Sequence, residues 1–418
     1  MPDKNSIRVA IVGGIRTPFL KANTAFKKYT SLELGTHAVQ GLIEKFNLSA
    51  KSLDELVYGW VITDPRVPNM AREIVFRTGL PATIKAHTVS NNCITGIHAI
   101  TSIYDSIREG RTEIGIAGGA ESMSNPPVMF GKRASRVFLD IAVSKSFGSK
   151  IAHGFKIRPG FFKPNAPAIE EPSTGLSMGE HTELMAKEWK ITREEQDNIA
   201  FMSHMNAHKA TEDGRLKAEI FPIDKIDRDL IIRSDTTMEK LGKLKPVFDK
   251  GQEGTITAGN SSPLTDGASA VLLMSDERAK KEGFEPLAYI KGFEYSAINT
   301  SDGLLMAPAV AVPRLLRRTG LSLKDMDIIE MHEAFGAQVT SNMRAWEKGW
   351  KEEPIGKVDM EKLNPLGSSI AVGHPFAATG GRIVTTLSNE MKRREAKYGF
   401  VSICAAGAMA AAMILERN

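Results

Sequence analysis

Two similar stretches, LSAKSLD at Leu48–Asp54 and LSLKDMD at Leu321–Asp327, indicate that the chain carries one structural plan twice. Each is followed by a strand-like run, which ends at Gly59 in the first copy and at His332 in the second. Two such βαβ units, packed about a pseudo-twofold axis, bring corresponding strand ends to one cleft, where α/β folds usually bind ligands. We therefore predict an α/β fold of duplicated βαβ halves.

Hydrophobic periodicity supports this fold class, because runs typical of buried strands alternate with runs typical of helices. The predicted strands are 8–14, 56–62 and 113–119, and the predicted helices are 32–46 and 93–109. The second helix carries one apolar stripe at helical spacing, formed by Ile94, Ile97, Ile100, Ile103, Tyr104 and Ile107. A Thr-Gly pair lies near its start, and a second pair at 379–380 marks the corresponding helix of the other copy.

The stretch between the two copies differs from both and is predicted to be an inserted loop domain at about 124–250. It begins with a basic, apolar segment at 128–167 and continues with polar helices at 177–190 and 192–213. With a linker near 276–283, the predicted domains are residues 1–279, which include the insertion, and residues 284–418.

The composition is ordinary for a globular protein, with 418 residues, 42% of them hydrophobic and 25% charged. No apolar run approaches the roughly 18 residues that span a bilayer, and no signal or transit peptide is recognisable, so a cytoplasmic location is predicted. The net charge of +5 and the pI of about 9.0 suit an anionic ligand or an anionic surface. Since no nucleic-acid motif, dinucleotide fingerprint or P-loop accompanies this charge, nucleic acid is not an expected partner.

Only two cysteines occur, Cys93 and Cys404, which excludes a disulfide scaffold. Cys93 follows a polar turn at the start of a predicted helix, where the helix dipole and free N–H groups favour the nucleophilic thiolate. A buried, inert cysteine is the alternative. Cys404 ends a predicted strand, and by itself a cysteine there is more typical of core packing than of chemistry.

Two histidines are candidates for acid–base or oxyanion chemistry. His374 lies in a glycine-containing loop before a proline, from which its imidazole can deprotonate Cys93, and a histidine bonded to the backbone is the alternative. His332 ends a predicted strand and can donate a hydrogen bond to a developing oxyanion, unless it is an interface or supporting residue. No Cys/His spacing resembles a zinc site, so no metal is predicted.

Six motifs occur in the order that they have in the thiolase family, and the match runs from 8 to 416. They are NCITG (92–96), GGAESMS (118–124), NSSPLTDGA (260–268), HEAF (332–335), GHP (373–375) and Cys404. The chain therefore resembles a thiolase. His332 in place of the more common asparagine, STGLSMG at 173–179 and CAAG at 404–407 are similar to the long-chain thiolases of fatty-acid oxidation complexes, the trifunctional-enzyme β-subunit type.

The resemblance implies a five-layered αβαβα fold with a loop domain, and it implies a role for each candidate residue. Cys93 takes the acyl group as a thioester, and His374 activates Cys93 and lines an oxyanion site with His332. Cys404 moves the proton to or from the α-carbon of the second acyl unit, or protonates and deprotonates coenzyme A or its product. The backbone N–H groups of Cys93 and Ala406 form the other oxyanion hole.

The implied reaction is cleavage of 3-ketoacyl-coenzyme A (CoA) in fatty-acid β-oxidation. Met178, Ser262 and Phe335 match positions that contact CoA, which is expected as a substrate beside acyl-CoA, with no permanently bound cofactor. A homodimer or tetramer and a hydratase–dehydrogenase α subunit are the implied protein partners. The segment at 128–167 is expected to touch anionic lipid or a partner subunit, or else to be a solvated basic loop that guides the phosphates of CoA.

Three alternatives remain beside this interpretation. A ketoacyl synthase is disfavoured, because such enzymes typically carry a second histidine where this chain has Cys404. An acetyl-CoA C-acetyltransferase, which makes acetoacetyl-CoA, would run the same chemistry biosynthetically. A thiolase-like assembly subunit with little catalysis is the alternative of another class. Ala408 and Ala410 replace glycines usual in the family and are expected to fill space near the pocket floor, which affects acyl-chain preference.

Overall fold

The computed structural model describes residues 7–48, 53–163 and 170–417, and it shows strands and helices alternating along most of the chain. The strands are β1 (Val9–Arg16), β2 (Leu20–Lys21), β3 (Glu55–Gly59), β4 (Lys85–Val89), β5 (Ile114–Glu121), β6 (Thr265–Ser275), β7 (Ala288–Ala297), β8 (Ile328–Met331), β9 (Tyr398–Ala405) and β10 (Met409–Glu416). The helices are α1 (Ser31–Lys45), α2 (Met70–Arg77), α3 (Thr95–Arg108), α4 (Lys132–Val143), α5 (Phe147–Gly154), α6 (Met178–Glu188), α7 (Arg193–Glu212), α8 (Met238–Gly242), α9 (Asp276–Lys281), α10 (Pro308–Thr319), α11 (Gly336–Lys348), α12 (Ser369–Val372) and α13 (Thr379–Arg394).

The strands form one mixed sheet in the order β4-β3-β5-β6-β1-β7-β10-β9-β8, with β2 added beside β6. Strand β3 runs parallel to β4 and β5, and β8 runs parallel to β9, whereas the other pairings are antiparallel. The two halves of the sheet meet only where Ala10 pairs with Tyr289 and Ile11 with Ala288. This narrow junction lets each half cover a different side of the helices between them.

The duplication predicted from the sequence is confirmed by the topology. The first half runs β1-α1-β3-α2-β4-α3-β5-β6, and the second runs β7-α10-β8-α11-α13-β9-β10. Where the first half has β4 beside β3, the second has only a parallel bridge between Leu363 and Ile329. The similar stretches precede β3 and β8, as expected, although residues 49–52 of the first lie outside the described residues.

Five layers follow from how the helices cover the two halves. Helices α1 and α2 pack on the outer face of the first half, and α10 and α11 pack outside the second. Helices α3 and α13 lie between the halves, and their side chains share one apolar core with strands from both. The five isoleucines of the predicted stripe on α3 are at most 1% exposed, and burying a side chain of that size contributes about 1.5–3 kcal/mol each. The predicted five-layered α/β class is confirmed.

Glycines allow α3 and α13 to approach closely. A Cβ atom on Gly96 would lie 2.8 Å from the carbonyl oxygen of Ala377 and 2.9 Å from the backbone nitrogen of Gly381. A Cβ atom on Gly380 would lie 2.5 Å from the backbone nitrogen of Ile97. Because these neighbours are backbone atoms that cannot turn aside, the glycine of the Thr-Gly pair in each half is a packing requirement.

Several predicted boundaries differ by a few residues, and two of these differences have a clear local cause. The strand expected at 56–62 ends at Gly59, because the N–H groups of Val61 and Ile62 donate to the carboxylate of Glu121 instead of to a neighbouring strand. The helix expected from residue 93 begins at Thr95, since Asn92 adopts a φ of +48° and turns the chain just before it.

The predicted insertion lies between β5 and β6 and contains α4 to α8. Helices α6 and α7 match the two polar helices predicted there, and the expected linker at 276–283 contains the short helix α9. Among the described residues, no helix has both the length and the apolar character needed to cross a membrane.

Candidate active site

Cys93 lies in a tight turn between β4 and α3. The hydroxyl of Thr95 accepts a hydrogen bond from the N–H of Asn91 and donates one to the carbonyl of Asn92, which fixes the turn from within. The side-chain amide of Asn92 donates to the carbonyl of Ala406 at 2.9 Å, and this bond ties the turn to the β9–β10 hairpin of the other half. The thiol is thus held by contacts from both halves of the fold.

His374 is presented by the loop that connects α12 to α13. Gly373 has a φ of +110°, a conformation that glycine adopts without strain, and the N–H of His374 donates to the hydroxyl of Thr265. The imidazole Nδ1 lies 2.7 Å from the Thr379 hydroxyl, and Nε2 lies 3.3 Å from the sulfur of Cys93. The structure therefore brings together the predicted nucleophile and the predicted base, which are 281 residues apart in the sequence.

Both members of this pair are neutral near pH 7. Burial raises the pKa of the Cys93 thiol to about 12, against the backbone N–H groups that favour its charged form. Burial also lowers the pKa of His374 to about 3, and the positive charge of Arg382 adds to the effect. The backbone N–H groups favour the thiolate, as expected from the sequence, but burial opposes them and has the larger effect on the pKa. A base must therefore remove the thiol proton when the substrate arrives.

Two backbone amides converge on the Cys93 sulfur. The N–H groups of Ala406 and of Cys93 itself both act to lower the pKa of this thiol, because they favour its charged form. Ala406 is the first residue after β9, and the following hairpin residues, Gly407 and Ala408, have φ values of +77° and +54°. The N–H of Gly407 donates to the buried carboxylate of Glu171, which anchors the hairpin to the inserted domain. Both amides predicted as an oxyanion hole therefore act on the same sulfur atom.

His332 follows β8 and is completely buried. Its ring lies beside that of His374, with centroids 4.1 Å apart, and its Nδ1 is 2.8 Å from the hydroxyl of Ser369. Within residues 7–48, 53–163 and 170–417, its Nε2 has no hydrogen-bond partner. Burial lowers the pKa of His332 well below its usual value, and His374, when it is protonated, and the positive charge of Arg382 lower it further, so the ring is neutral.

Cys404 is the penultimate residue of β9 and is buried. Burial raises the pKa of its thiol well above the ordinary value, and negative charge on Cys93 raises it further, so the two thiols are electrostatically coupled. Cys404 is therefore a protonated thiol in the resting state. Ala410 pairs with Cys404 across the β9–β10 ladder, so its methyl group lies beside the thiol on the same face of the sheet.

The nitrogen and sulfur atoms of Cys93, His332 and His374 lie within 4.8 Å of one another. Such a group could hold a metal ion such as zinc, although no sequence spacing indicated one. The three residues come from three separate loops of the two halves, and the fold brings these loops together.

The three residues predicted to contact CoA lie in one neighbourhood. The N–H of Ser262 donates to the carbonyl of Ala334, next to Phe335. The Phe335 ring packs edge-to-face on Phe248 at 6.0 Å. A Cβ atom on Gly179, which follows Met178 at the start of α6, would collide with the same Phe248 ring.

Sequence reasoning missed several supporting residues of the site. Thr379, Ser369 and Arg382 surround the two histidines, and Glu121 is a buried carboxylate that accepts hydrogen bonds from three backbone N–H groups, including that of Ala377. Burial raises the pKa of Glu121 to about 7. Glu121 and Thr379 lie in motifs quoted from the sequence. A sequence motif does not show which group a hydroxyl or a carboxylate will contact in the folded protein.

Comparison with known proteins decides the family. The model of the "Thiolase, N-terminal domain" family matches residues 9–277, and that of the "Thiolase, C-terminal domain" family matches residues 284–417. The chain belongs to the thiolase family. Members of this family are acyltransferases, and in this thiolase the Cys93 sulfur lies 3.3 Å from His374 Nε2.

Three relatives illustrate the match. A protein of Shewanella sp. (strain W3-18-1) named 3-ketoacyl-CoA thiolase is 44% identical, over 98% of this chain and 97% of its own length. The crystal structure of an acetyl-CoA acetyltransferase from Bacillus anthracis has a TM-score of 0.86 at 31% identity, covering 98% of each chain. The crystal structure of human mitochondrial 3-ketoacyl-CoA thiolase in complex with CoA has a TM-score of 0.85 at 30% identity, covering 99% of this chain and 98% of that one.

Proposed function

We propose that this chain is a 3-ketoacyl-CoA thiolase of fatty-acid β-oxidation, which cleaves 3-ketoacyl-CoA with CoA through an acyl thioester on Cys93. The observation that carries the proposal is the set of groups around one sulfur atom: His374 Nε2 at 3.3 Å and the N–H groups of Ala406 and Cys93. Together they supply a nucleophile, a base and donors for a carbonyl oxygen, which acyl transfer between thiols requires. The name of the 44% identical Shewanella relative supports the substrate class.

In the first half-reaction, His374 takes the Cys93 proton and the sulfur attacks the C3 carbonyl carbon of the substrate. The C2–C3 bond breaks, and its electron pair forms the enolate of the CoA thioester that leaves. Cys404, whose proton is retained because of its raised pKa, gives that proton to C2 and releases acetyl-CoA. Cys404 is then a thiolate, and Cys93 carries the shortened acyl chain.

In the second half-reaction, the Cys404 thiolate takes the thiol proton of an incoming CoA. The CoA sulfur attacks the acyl carbon on Cys93, and the Cys93–acyl bond breaks to release the shortened acyl-CoA. The Cys93 sulfur leaves as a thiolate and recovers its proton from the His374 imidazolium. Each residue returns to its starting state, so no cofactor has to be permanently bound.

Two carbonyl oxygens gain negative charge in this sequence, and we assign one oxyanion site to each. The N–H groups of Cys93 and Ala406 stabilise the oxygen of the acyl group on Cys93, because both already favour negative charge at that sulfur. His332 and His374 line the site for the thioester oxygen of the enolate, since their rings lie together at 4.1 Å. Removing one such donor typically costs about 10²–10³ in kcat.

We assign CoA binding to Met178, Ser262 and Phe335. The support is their shared neighbourhood around Phe248 and the hydrogen bond of Ser262 to the residue before Phe335. The relative with 30% identity that was crystallised with CoA supports a CoA site in this fold. Apolar side chains suit the adenine and pantetheine parts of CoA, and the excess of cations on the chain suits its phosphates.

We also propose that the chain is organised as domains 1–279 and 284–418 and forms a homodimer or tetramer. Strand β4 lies at one end of the described sheet, so its outer edge is unpaired within the described chain, and its residues are partly exposed. An open edge is suited to pairing with a second copy of the same strand.

A hydratase–dehydrogenase α subunit is the proposed heterologous partner, and co-purification of the two chains tests it.

The segment predicted at 128–167 is proposed to contact an anionic membrane surface. Its described part, to residue 163, forms the helical hairpin of α4 and α5 and exposes Val143, Phe147 and Phe155 to 73%, 78% and 81%. Cations such as Lys145 and Lys150 accompany these apolar side chains, which is the combination that favours anionic lipid. Sedimentation with anionic and with neutral vesicles tests the contact, and a double change of Phe147 and Phe155 to serine should abolish it.

The second candidate function is acetyl-CoA C-acetyltransferase, which is favoured by the fold match to the Bacillus anthracis enzyme. The two functions use the same residues and differ in the length of acyl chain that fits. The methyl groups of Ala408 and Ala410 are buried near Cys404, and Ala410 lies directly beside its thiol.

The deciding experiment is thiolysis of short, medium and long 3-ketoacyl-CoA substrates by wild type and by Cys93→Ala. We expect measurable cleavage by the wild type and a loss of about 10⁴-fold or more in the variant, because Cys93 is the thiol that His374 contacts and that takes the acyl chain. Ser90→Ala, an exposed change in the same turn, is the matched control and should keep full activity.

Cleavage of long chains supports fatty-acid degradation, whereas activity confined to acetoacetyl-CoA supports the second candidate. A folded wild type that cleaves none of them, alone or with an α subunit, rules out both and leaves the assembly subunit.

A further inference from the structure

The two neighbouring histidines of the site each meet a different hydroxyl group. His332 Nδ1 is 2.8 Å from the hydroxyl of Ser369, and His374 Nδ1 is 2.7 Å from the hydroxyl of Thr379. Both rings are neutral at neutral pH, because burial lowers the pKa of each. A neutral imidazole carries one N–H, so the direction of each hydroxyl bond decides which nitrogen faces the cleft as a donor or as an acceptor.

At His332 the direction is set by Arg382. This guanidinium, which can only donate, places its Nη2 3.0 Å from the Ser369 oxygen. The oxygen therefore accepts from Arg382, and its own proton has one remaining partner among the described residues, which is His332 Nδ1. Nδ1 must then be the acceptor, and the ring proton sits on Nε2. The opposite arrangement would leave the hydroxyl proton of the fully buried Ser369 without a partner.

At His374 the direction is the reverse. His374 Nε2 lies 3.3 Å from the Cys93 sulfur, and the thiol keeps its proton because burial raises its pKa, so that proton can point to Nε2. Nε2 is then unprotonated, and the ring proton lies on Nδ1. The Thr379 oxygen can receive that proton, because its own hydroxyl donates to the carbonyl of Pro375 at 3.1 Å.

We propose that Ser369, aligned by Arg382, holds His332 in the tautomer with its proton on Nε2, while Thr379 holds His374 in the opposite tautomer. The cleft then presents one N–H donor and one proton acceptor from two rings only 4.1 Å apart. Ser369, Arg382 and Thr379 act through the histidines and are positioning residues. This assignment deepens the proposed thiolase function and rests on it for its catalytic meaning, although the tautomers themselves do not.

The unpartnered Nε2 of His332 fits this assignment. A buried N–H without a partner is costly, and a water or a ligand that accepts a hydrogen bond satisfies it. A thioester carbonyl oxygen that becomes an enolate oxygen is such a ligand, and its growing charge strengthens the bond in the transition state. If Nε2 were instead a bare lone pair, it would repel that oxygen.

The direct test is nuclear magnetic resonance of protein labelled with 15N-histidine, because protonated and unprotonated ring nitrogens resonate in well-separated ranges. The signals of His332 and His374 are assigned from their absence in His332→Asn and His374→Asn. In the wild type we expect a protonated Nε2 for His332 and a protonated Nδ1 for His374. The same tautomer in both rings, or a protonated Nδ1 in His332, overturns the proposal, and this measurement needs neither substrate nor activity.

Variants then test the cause. Ser369→Ala should give a measurable Nδ1-protonated population of His332 and lower kcat about tenfold with KM little changed, because the donor is correctly placed for only part of the time. Ser369→Thr keeps the hydroxyl and should restore both. Ser368→Ala is the matched control, because Ser368 also accepts from Arg382 Nη2, at 3.1 Å, but touches neither histidine; its spectrum and kcat should match the wild type.

An unchanged His332 spectrum in Ser369→Ala overturns the assigned role of Ser369. Equal losses in Ser369→Ala and Ser368→Ala would show that only the packing around Arg382 matters. Absence of thiolysis in the wild type would remove the proposed function, while the wild-type spectrum would still decide the tautomers.

Discussion

The starts of α3 and α13 occupy equivalent places in the two halves of the fold, yet they present different chemistry. Both helices begin with Thr-Gly, and both pack through that glycine against the other helix. In the first half, the Thr95 hydroxyl bonds to the backbone of the turn and positions the Cys93 thiol. In the second half, the equivalent Thr379 hydroxyl bonds to the imidazole of His374.

The comparison shows how a duplicated scaffold becomes an asymmetric site. Close glycine contact brings the two helix starts together, and this shared geometry puts a thiol from one half 3.3 Å from an imidazole of the other. Neither half contains both groups. The active site therefore depends on the packing of the halves, and changes at the two helix starts should affect chemistry and stability separately.

The largest effect is expected from loss of the base in the second half. His374→Asn should lower kcat by about 10³-fold, because the Cys93 thiol with its pKa of about 12 has no other group to take its proton. Steady-state thiolysis kinetics measure this, and His208→Asn, at a partly exposed histidine of α7, is the control. Adding Cys93→Ala to His374→Asn should cause no loss beyond that of Cys93→Ala alone. A drop of less than tenfold in His374→Asn would mean that another group is the base.

The second effect concerns the pKa of the Cys93 thiol at the start of α3, in the protein without substrate. If burial outweighs the start of α3, alkylation of Cys93 by iodoacetamide should rise about tenfold per pH unit from pH 7 to 9.5, because the thiolate fraction grows in that proportion below a pKa of about 12. Mass spectrometry of the Cys93 peptide follows the reaction. An ordinary cysteine peptide should level off near its pKa of about 8.5. A plateau for Cys93 at neutral pH would show that the helix start does produce a thiolate.

The third effect tests the contact between the halves. Gly96→Ala should lower the free energy of unfolding by about 2 kcal/mol, because the added methyl group meets backbone atoms at 2.8–2.9 Å. Urea unfolding followed by circular dichroism measures it. Gly148→Ala, in α5, is the matched control, since its Cβ has open space, and it should be neutral or slightly stabilising. Equal midpoints for the two variants would mean that the helices can separate without cost.

The smallest effect is expected at the threonine of the second half. Thr379→Val should lower kcat about tenfold, because His374 Nδ1 loses its hydroxyl partner and the ring no longer favours the tautomer that accepts from Cys93. Thr379→Ser keeps the hydroxyl and should retain most of the activity in the same assay. If valine and serine behave alike, the methyl group rather than the hydroxyl is what the site requires.

Much of the fold could be predicted because it depends on local pattern. Alternating apolar runs indicated the strands, the stripe on α3 indicated its buried face, and the similar stretches before β3 and β8 indicated the duplication. The ends of elements were less predictable, since the carboxylate of Glu121 competes for the N–H groups that would have extended β3. The candidate residues Cys93, His332, His374 and Cys404 were found because thiols and imidazoles are few and stand in recognisable motifs.

By itself, the sequence determined which chemical groups this protein has and that they lie on a duplicated α/β scaffold, since both are written in residue types and their spacing. Only the tertiary structure decided that Cys93 meets His374, that both are neutral, and that Ser369 and Thr379 direct the two imidazoles. The physical reason is that pKa values and hydrogen-bond directions depend on burial and on neighbours hundreds of residues away. Local pattern cannot report such contacts, and the chain makes them only when its two halves close on α3 and α13.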